Sequence, residues 1–159
     1  MERSRFFGLL FATVLALCLF TAGCQDVTQE MDSPLSPPAW IQGSWADQGY
    51  IQRSVNGKRW VFTKDNAVWH DYMYGMPHLA PWDYYQFYLD HLSDKSSFRY
   101  ELTDLSSDAY YEIKEIFAAA GETDPSPKYL RFIKLTPATF RFKILANGSL
   151  ADYGVYTKE

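Results

Sequence analysis

Apolar and charged residues alternate one by one along several short stretches of the chain. Residues 98–102 read Phe-Arg-Tyr-Glu-Leu, and residues 140–144 read Phe-Arg-Phe-Lys-Ile. A period of two places the apolar residues on one face of a strand and the charged residues on the other. The pattern therefore predicts strands that are buried on one side. Similar runs predict about eight strands, or nine when the penultimate pair is counted separately, over residues 45–55, 58–64, 67–74, 84–89, 97–102, 110–117, 129–135, 139–145 and 150–157.

Turn signals separate these runs. Asn-Gly pairs at 56–57 and 147–148 each lie between two predicted strands. Asn-Gly is the strongest two-residue hairpin signal, because both residues accept a positive φ. Pro137 separates two more strands, and its fixed φ suits a turn. The spacing predicts an all-β, antiparallel domain that is a sandwich or a barrel.

Residues 108–121 fit a helix as well as a strand. Asp108 is a candidate N-cap, Ile113 and Phe117 recur at helical spacing, and Gly121 is a candidate C-cap. The hairpins on both sides favour a strand, so we expect a strand over 110–117.

The connection over residues 75–82 reads Gly-Met-Pro-His-Leu-Ala-Pro-Trp, which is long and apolar for a loop. It fits either a lid over one end of a barrel or an ordinary packed surface loop. We favour the packed loop.

The first 23 residues have the pattern of an export signal. A short basic segment over residues 2–5 precedes an uncharged apolar run over 6–22, and small residues end the run just before Cys24. The alternative is an uncleaved transmembrane anchor, for which the apolar run is barely long enough. The next charges are acidic, so no basic stop-transfer cluster follows it, and we favour a cleaved signal peptide over residues 1–23.

The segment Phe-Thr-Ala-Gly-Cys over residues 20–24 resembles the lipobox of bacterial lipoproteins. The resemblance implies that Cys24 receives a diacylglyceryl group, becomes the mature N-terminus and is then acylated. It also implies outer-membrane sorting, because Gln25 is not the aspartate that retains lipoproteins at the inner membrane of enteric bacteria. Cys18 lies inside the signal, so the predicted domain over 40–159 holds no cysteine. Residues 24–39 are polar and end in prolines, which predicts a flexible tether.

The domain itself resembles the lipocalin-like domains of bacterial lipoproteins. The likeness rests on Gly-Ser-Trp at 43–45 and on the closing run over 129–158, and it spans about 40–159. The resemblance implies a small antiparallel meander barrel of about eight strands. A barrel of that size has room for packed side chains or for one small ligand.

Composition excludes several function classes. The net charge of −4 gives no electrostatic basis for binding nucleic acid. The three histidines, His70, His78 and His91, lack metal-ligand spacing, and no nucleophile elbow or phosphate loop is present. We therefore predict no metal, no cofactor and no catalytic residues.

Aromatic residues are the one feature that points to a function. The chain holds 5 Trp, 12 Tyr and 11 Phe. Either they form a plain core, or those that point inward line a ligand site. The candidate ligand-lining residues are Trp60, Trp69, Tyr100, Phe132, Phe140 and Phe142.

The leading hypothesis is a lipid-anchored, non-catalytic envelope protein that binds a small apolar or amphipathic ligand in the barrel mouth. The alternative is a structural or protein-interaction lipoprotein, in which a solid barrel binds another envelope or host protein.

Overall fold

The fold is all-β, as the sequence predicts. The computed structural model describes residues 32–54, 56–92, 98–119 and 121–159, with ten antiparallel strands in these ranges. The strands are β1 (Gly43–Asp47), β2 (Gly57–Phe62), β3 (Ala67–Met73), β4 (Met76–Pro77), β5 (Trp82–Asp83), β6 (Phe98–Ser106), β7 (Tyr110–Ala119), β8 (Lys128–Thr136), β9 (Thr139–Ala146) and β10 (Ser149–Lys158). The helices are α1 (Gln48–Ile51) and α2 (Tyr84–Leu92).

All ten strands belong to one sheet. The order is β4-β3-β2-β1-β10-β9-β8-β7-β6, and β5 also pairs with β3. Within the described ranges β3 and β6 do not pair, so hydrogen bonding does not close the sheet into the predicted barrel. Helix α2 contacts both β3 and β6. The strand number is ten rather than about eight, because β4 and β5 are two-residue strands with no strong sequence pattern.

The sheet curves until side chains of distant strands meet in a single aromatic core. The ring centroids of Trp60 in β2 and Phe132 in β8 are 4.9 Å apart, edge to face. Those of Phe62 in β2 and Tyr111 in β7 are 6.1 Å apart. Such pairs stabilise a core beyond the area they bury. The largest fully buried side chains are Trp45, Trp60, Tyr84, Tyr111, Tyr156, Phe132, Phe140, Phe142, Leu35, Ile41, Ile113 and Leu130.

The predicted strand over 84–89 is wrong, because these residues form the N-terminal part of α2. Asp83 begins the helix by accepting a hydrogen bond from the Gln86 amide, at 2.9 Å. Tyr84 is buried, and Phe87 and Tyr88 pack against the core. This spacing of three and four residues forms one apolar helix face.

Strand β7 confirms the prediction of a strand over 110–117. It pairs with β6 over nine register positions and with β8 over six. Partners on both sides satisfy its backbone groups, which outweighs the local helix propensity.

Only one of the two predicted Asn-Gly hairpins is correct. Asn147 and Gly148 have φ of 50° and 73° and join β9 to β10. Strand β1 ends at Asp47, not at residue 55, and α1 begins the connection to β2. Asp47 Oδ1 accepts hydrogen bonds from the amides of Tyr50 (2.7 Å) and Lys58 (3.0 Å). A Cβ at Gly57 would lie 2.6 Å from Tyr50 Cα, so a close approach requires this glycine.

The N-terminal boundary of the folded unit also differs from the prediction. Residues from Ser33 to Glu159 form one compact unit, so residues 33–39 belong to it rather than to the tether. Leu35 is 2% exposed, and the Trp40 Nε1–H donates to the Ser107 carbonyl at 3.0 Å. Cys24, the predicted signal peptide over 1–23 and residues 25–31 of the predicted tether lie outside the described residues. Among the described helices, none has the length and hydropathy to cross a bilayer.

Candidate functional site

A partly open cavity of about 310 Å³ lies between β3, the loop before α2, and β8. Its wall combines three aromatic residues, two aliphatic residues and one charge of each sign. The lining residues are Trp69, Trp82, Tyr84, Leu79, Ala80, Asp71 and Lys128. The volume is at the lower end of the range for small-molecule sites, roughly 300–1,000 Å³.

A row of four tryptophans crosses the sheet from the core to this cavity. The members are paired in register across adjacent strands: Trp45 with Trp60, Trp60 with Trp69, and Trp69 with Trp82. Register partners project to the same face of a sheet. Trp60 is fully buried, whereas Trp82 is 41% exposed. The row therefore extends the core into the cavity wall.

Helix α2 adds Tyr84 to that wall. Its ring stacks on Trp60 at 5.8 Å and meets Trp82 edge-on at 6.3 Å. The side chain is 1% exposed, and burial raises the pKa of Tyr84 well above its usual range, helped by the negative charge of Glu115.

A buried ion pair borders the cavity. Glu115 of β7 has a side chain only 1% exposed, and Lys128 Nζ lies 2.7 Å from its Oε2. The two residues are register partners. The Tyr100 hydroxyl donates to Glu115 Oε1 at 3.0 Å. No other described group donates to Oε2, so the Lys128 ammonium alone compensates that oxygen.

Asp71 is the second carboxylate at the cavity. It is half-buried, and within the described ranges its carboxylate makes no hydrogen bond or ion pair. Lys58 is its register partner, but Lys58 Nζ lies over two aromatic rings, 5.8 Å from the centroid of Trp69 and 5.0 Å from that of Tyr153.

The indole of Trp69 offers an unused donor. Its Nε1 is buried and, among the described residues, has no hydrogen-bond partner. An unpaired buried donor costs about 1–3 kcal/mol. By contrast, the indole Nε1–H of Trp45 donates to the Ile41 carbonyl at 2.5 Å.

The candidate ligand residues from the sequence fall into three groups. Trp69 lines the cavity, and Tyr100 lies behind it as the donor to Glu115. The other four are fully buried in the core and do not line this cavity: Trp60, Phe132, Phe140 and Phe142.

The other residues that line the cavity were not predicted from the sequence, for reasons that differ from residue to residue. Tyr84 stands in the predicted strand over 84–89, although the helical spacing of the aromatic residues there is a usable signal. Leu79, Ala80 and Trp82 belong to the loop over 75–82, for which the sequence favours plain packing. Asp71 and Lys128 had no sequence signal, because only the tertiary structure brings their strands together.

His70, His78 and His91 belong to no cluster of three or more potential metal ligands among the described residues. His91 Nδ1 lies 2.6 Å from the Phe87 carbonyl oxygen. Burial together with Arg59 lowers the pKa of His70.

Comparison with known proteins gives no assignment. No family model, no curated protein and no solved structure matches this chain. The lipobox and lipocalin-like resemblances therefore stay predictions, and function must be inferred from the cavity.

We expect a steep loss of stability at alkaline pH. Burial raises the pKa values of four tyrosines above 10.0: Tyr84, Tyr100, Tyr111 and Tyr156. A pKa raised in the folded state stabilises the fold below the unfolded pKa, and that contribution is lost as the pH rises above it. Each tyrosine then lowers the free energy of unfolding by about 1.4 kcal/mol per pH unit. Urea titrations on both sides of the unfolded pKa measure the loss, and tyrosinate absorbance from all twelve tyrosines while the sheet stays folded would contradict it.

Proposed function

We propose that this chain is a lipid-anchored, non-catalytic envelope protein that binds a small apolar or amphipathic molecule. The observation that carries the proposal is the partly open cavity of about 310 Å³. Three aromatic side chains and two charged groups converge on it, which is the usual make-up of a small-molecule site.

We also propose that the domain is a lipocalin-like barrel whose seam is covered by a helix. Support comes from the meander order of the strands and from the pairing of β1 with β10. Helix α2 contacts β3 and β6, the two strands that a closed barrel would pair. The cavity lies beside this seam, where a ligand can enter without opening the sheet.

A binding role fits the charges better than acid–base catalysis does. Glu115 accepts a hydrogen bond from Tyr100 and faces the Lys128 ammonium, so it is committed to partners inside the protein. A general base needs a free carboxylate or imidazole within reach of a substrate proton. Asp71 is a free carboxylate in the described ranges, but the other charged group of the wall, Lys128, is engaged with Glu115 and is not available as an acid to act with it.

Native mass spectrometry tests ligand binding. The full chain would be produced in a Gram-negative host, placed in lipid nanodiscs and weighed before and after denaturation. We expect a reproducible excess mass that unfolding releases and that Trp82→Ala reduces, because Trp82 is a cavity wall. Addition of candidate apolar molecules to the bare chain is the second stage. A chain that shows no excess mass and binds none of the added apolar molecules would refute the binding function.

Anchoring through Cys24 gives a separate prediction. Cys24→Ala is expected to abolish acylation and to leave the signal peptide uncleaved, because the thiol is the acceptor in the lipoprotein pathway that the lipobox implies. Cys18→Ala is the matched control and should be processed normally. The sensitivity of processing to globomycin reports cleavage of the signal peptide, and the intact mass reports both cleavage and acylation. Normal cleavage and normal mass in the Cys24 variant would contradict the anchor.

Exposed apolar residues favour a second candidate, a protein-interaction lipoprotein. Tyr74, Met76 and Leu79 are each more than 60% exposed, and they lie close together in the sequence between β3 and α2. Such a group is typical of a surface that docks a partner. Changing Tyr74 and Met76 to serine, which leaves the cavity lining intact, would abolish capture of a single stoichiometric envelope protein if this candidate is correct, while the ligand-derived mass would persist.

A further inference from the structure

We infer that the ligand of this cavity is an organic cation, an ammonium group joined to an apolar body. The inference rests on the proposed binding function and specifies the chemical class of the ligand. It depends on the two charged residues of the wall, of which Lys128 is paired and Asp71 is not among the described residues, and on the three aromatic rings beside them.

The positively charged residue of the wall, Lys128, already has a charged partner inside the protein. Lys128 faces Glu115 at 2.7 Å, and Glu115 is too deeply buried to find compensation in water. A ligand anion that recruited Lys128 would leave that carboxylate uncompensated, which costs several kcal/mol. The cavity therefore does not favour an anion.

The negative charge of the wall is available. Asp71 makes no ion pair in the described part of the chain and lines the cavity directly. Lys58, across the strand pair, directs its ammonium to the rings of Trp69 and Tyr153. Asp47, at the end of β1 on the far side of β2, adds a further negative charge and accepts only backbone amides. A ligand cation would therefore complete the charge balance.

The aromatic wall suits the same ligand. Trp69 and Trp82 are register partners, and Tyr84 follows at the start of α2. Indole and phenol faces attract cations, and aromatic cages of this composition recognise ammonium groups. Lys58 already shows this preference, since its ammonium lies over the Trp69 ring at 5.8 Å. Leu79 and Ala80 complete the wall with apolar surface for the body of the ligand.

A charge series of one scaffold tests the inference. The probes are 2-phenylethylamine, which is cationic, 2-phenylethanol, which is neutral, and phenylacetate, which is anionic. Calorimetric titration into the full chain in phosphatidylcholine nanodiscs, with empty nanodiscs as the blank, gives each affinity. We expect the amine to bind about tenfold more tightly than the alcohol and the acid to bind most weakly.

Matched variants assign the preference to the wall. Asp71→Asn should remove most of the tenfold preference and leave the affinity for the alcohol nearly unchanged. Asp108→Asn makes the same charge change on an exposed residue in the β6–β7 turn and should alter nothing. Trp82→Leu keeps an apolar wall and removes an aromatic face, so it should weaken the amine more than the alcohol.

The outcomes separate the two proposals. Equal or tighter binding of the alcohol, or a preference that survives Asp71→Asn, overturns the cation inference and leaves the binding function standing. A loss of all three probes in Asp71→Asn makes the residue structural and also overturns the inference. Absence of binding by every probe to the unaltered chain counts against both the inference and the cavity as a site.

Discussion

Replacing Trp60 with alanine is expected to lower the free energy of unfolding by about 3–5 kcal/mol. Trp60 is fully buried and lies at the centre of the aromatic core. Its ring contacts five others at centroid distances from 4.9 to 5.8 Å, those of Phe62, Trp69, Tyr84, Phe132 and Phe142. Truncation leaves a void between the two halves of the curved sheet that these rings cannot fill.

The effect is large compared with the total stability of a small domain, about 5–15 kcal/mol. Urea denaturation followed by far-ultraviolet circular dichroism measures it. Trp82→Ala is the control, since Trp82 is 41% exposed and its loss should cost about 1 kcal/mol. Equal costs for the two variants would contradict a core centred on Trp60. Trp60→Phe keeps part of the volume and provides a milder variant if the alanine variant does not fold.

Replacing Lys128 with methionine is expected to lower the free energy of unfolding by about 2–3 kcal/mol. The change leaves the Glu115 carboxylate buried with only the Tyr100 hydroxyl as a partner. The estimate is below the usual cost of a broken buried pair, because the Lys128 side chain is 43% exposed and water screens the pair in part.

A double-mutant cycle separates the effect of leaving the Glu115 charge unpaired from the effect of changing the Lys128 side chain itself. Adding Glu115→Gln to Lys128→Met should recover at least half of the loss, because the neutral amide still accepts from Tyr100. Lys114→Met on neighbouring strand β7 is the control, because Lys114 makes no ion pair with any described residue, and it should cost under about 0.5 kcal/mol. A Lys128 variant as stable as the Lys114 variant would show that the pair contributes nothing.

The strands with strict alternation were predictable from the sequence. The runs over 98–102 and 140–144 lie in β6 and β9, and Tyr110–Ala119 is a strand although its local spacing also fits a helix. The turn at Asn147 and Gly148 depends on these two residues themselves, since both adopt a positive φ there. Each of these features depends on neighbours in the sequence or on a period of two.

The features that the sequence did not predict depend on tertiary contacts or on the choice between periods. Aromatic residues occupy five of the seven positions of 82–88, so a period of two and a helical period both fit, and the cap that Asp83 provides decides for the helix. The Asn-Gly at 56–57 serves a close backbone approach rather than a two-residue turn. The cavity unites Asp71 of β3 with Lys128 of β8, and no sequence pattern indicates that these strands meet.

The central claim is that a small molecule binds between β3, α2 and β8, and the five tryptophan indole N–H signals test it most directly. A ¹H–¹⁵N correlation spectrum of the full chain in nanodiscs would be recorded during titration with 2-phenylethylamine and with 2-phenylethanol. Single Trp→Phe variants assign the signals. Binding in this cavity predicts saturable shifts of the Trp69 and Trp82 signals. The signals of Trp40 and Trp45, whose N–H groups donate to backbone carbonyls, should not move. Shifts confined to Trp40 and Trp45, or no shift with either probe, would contradict it.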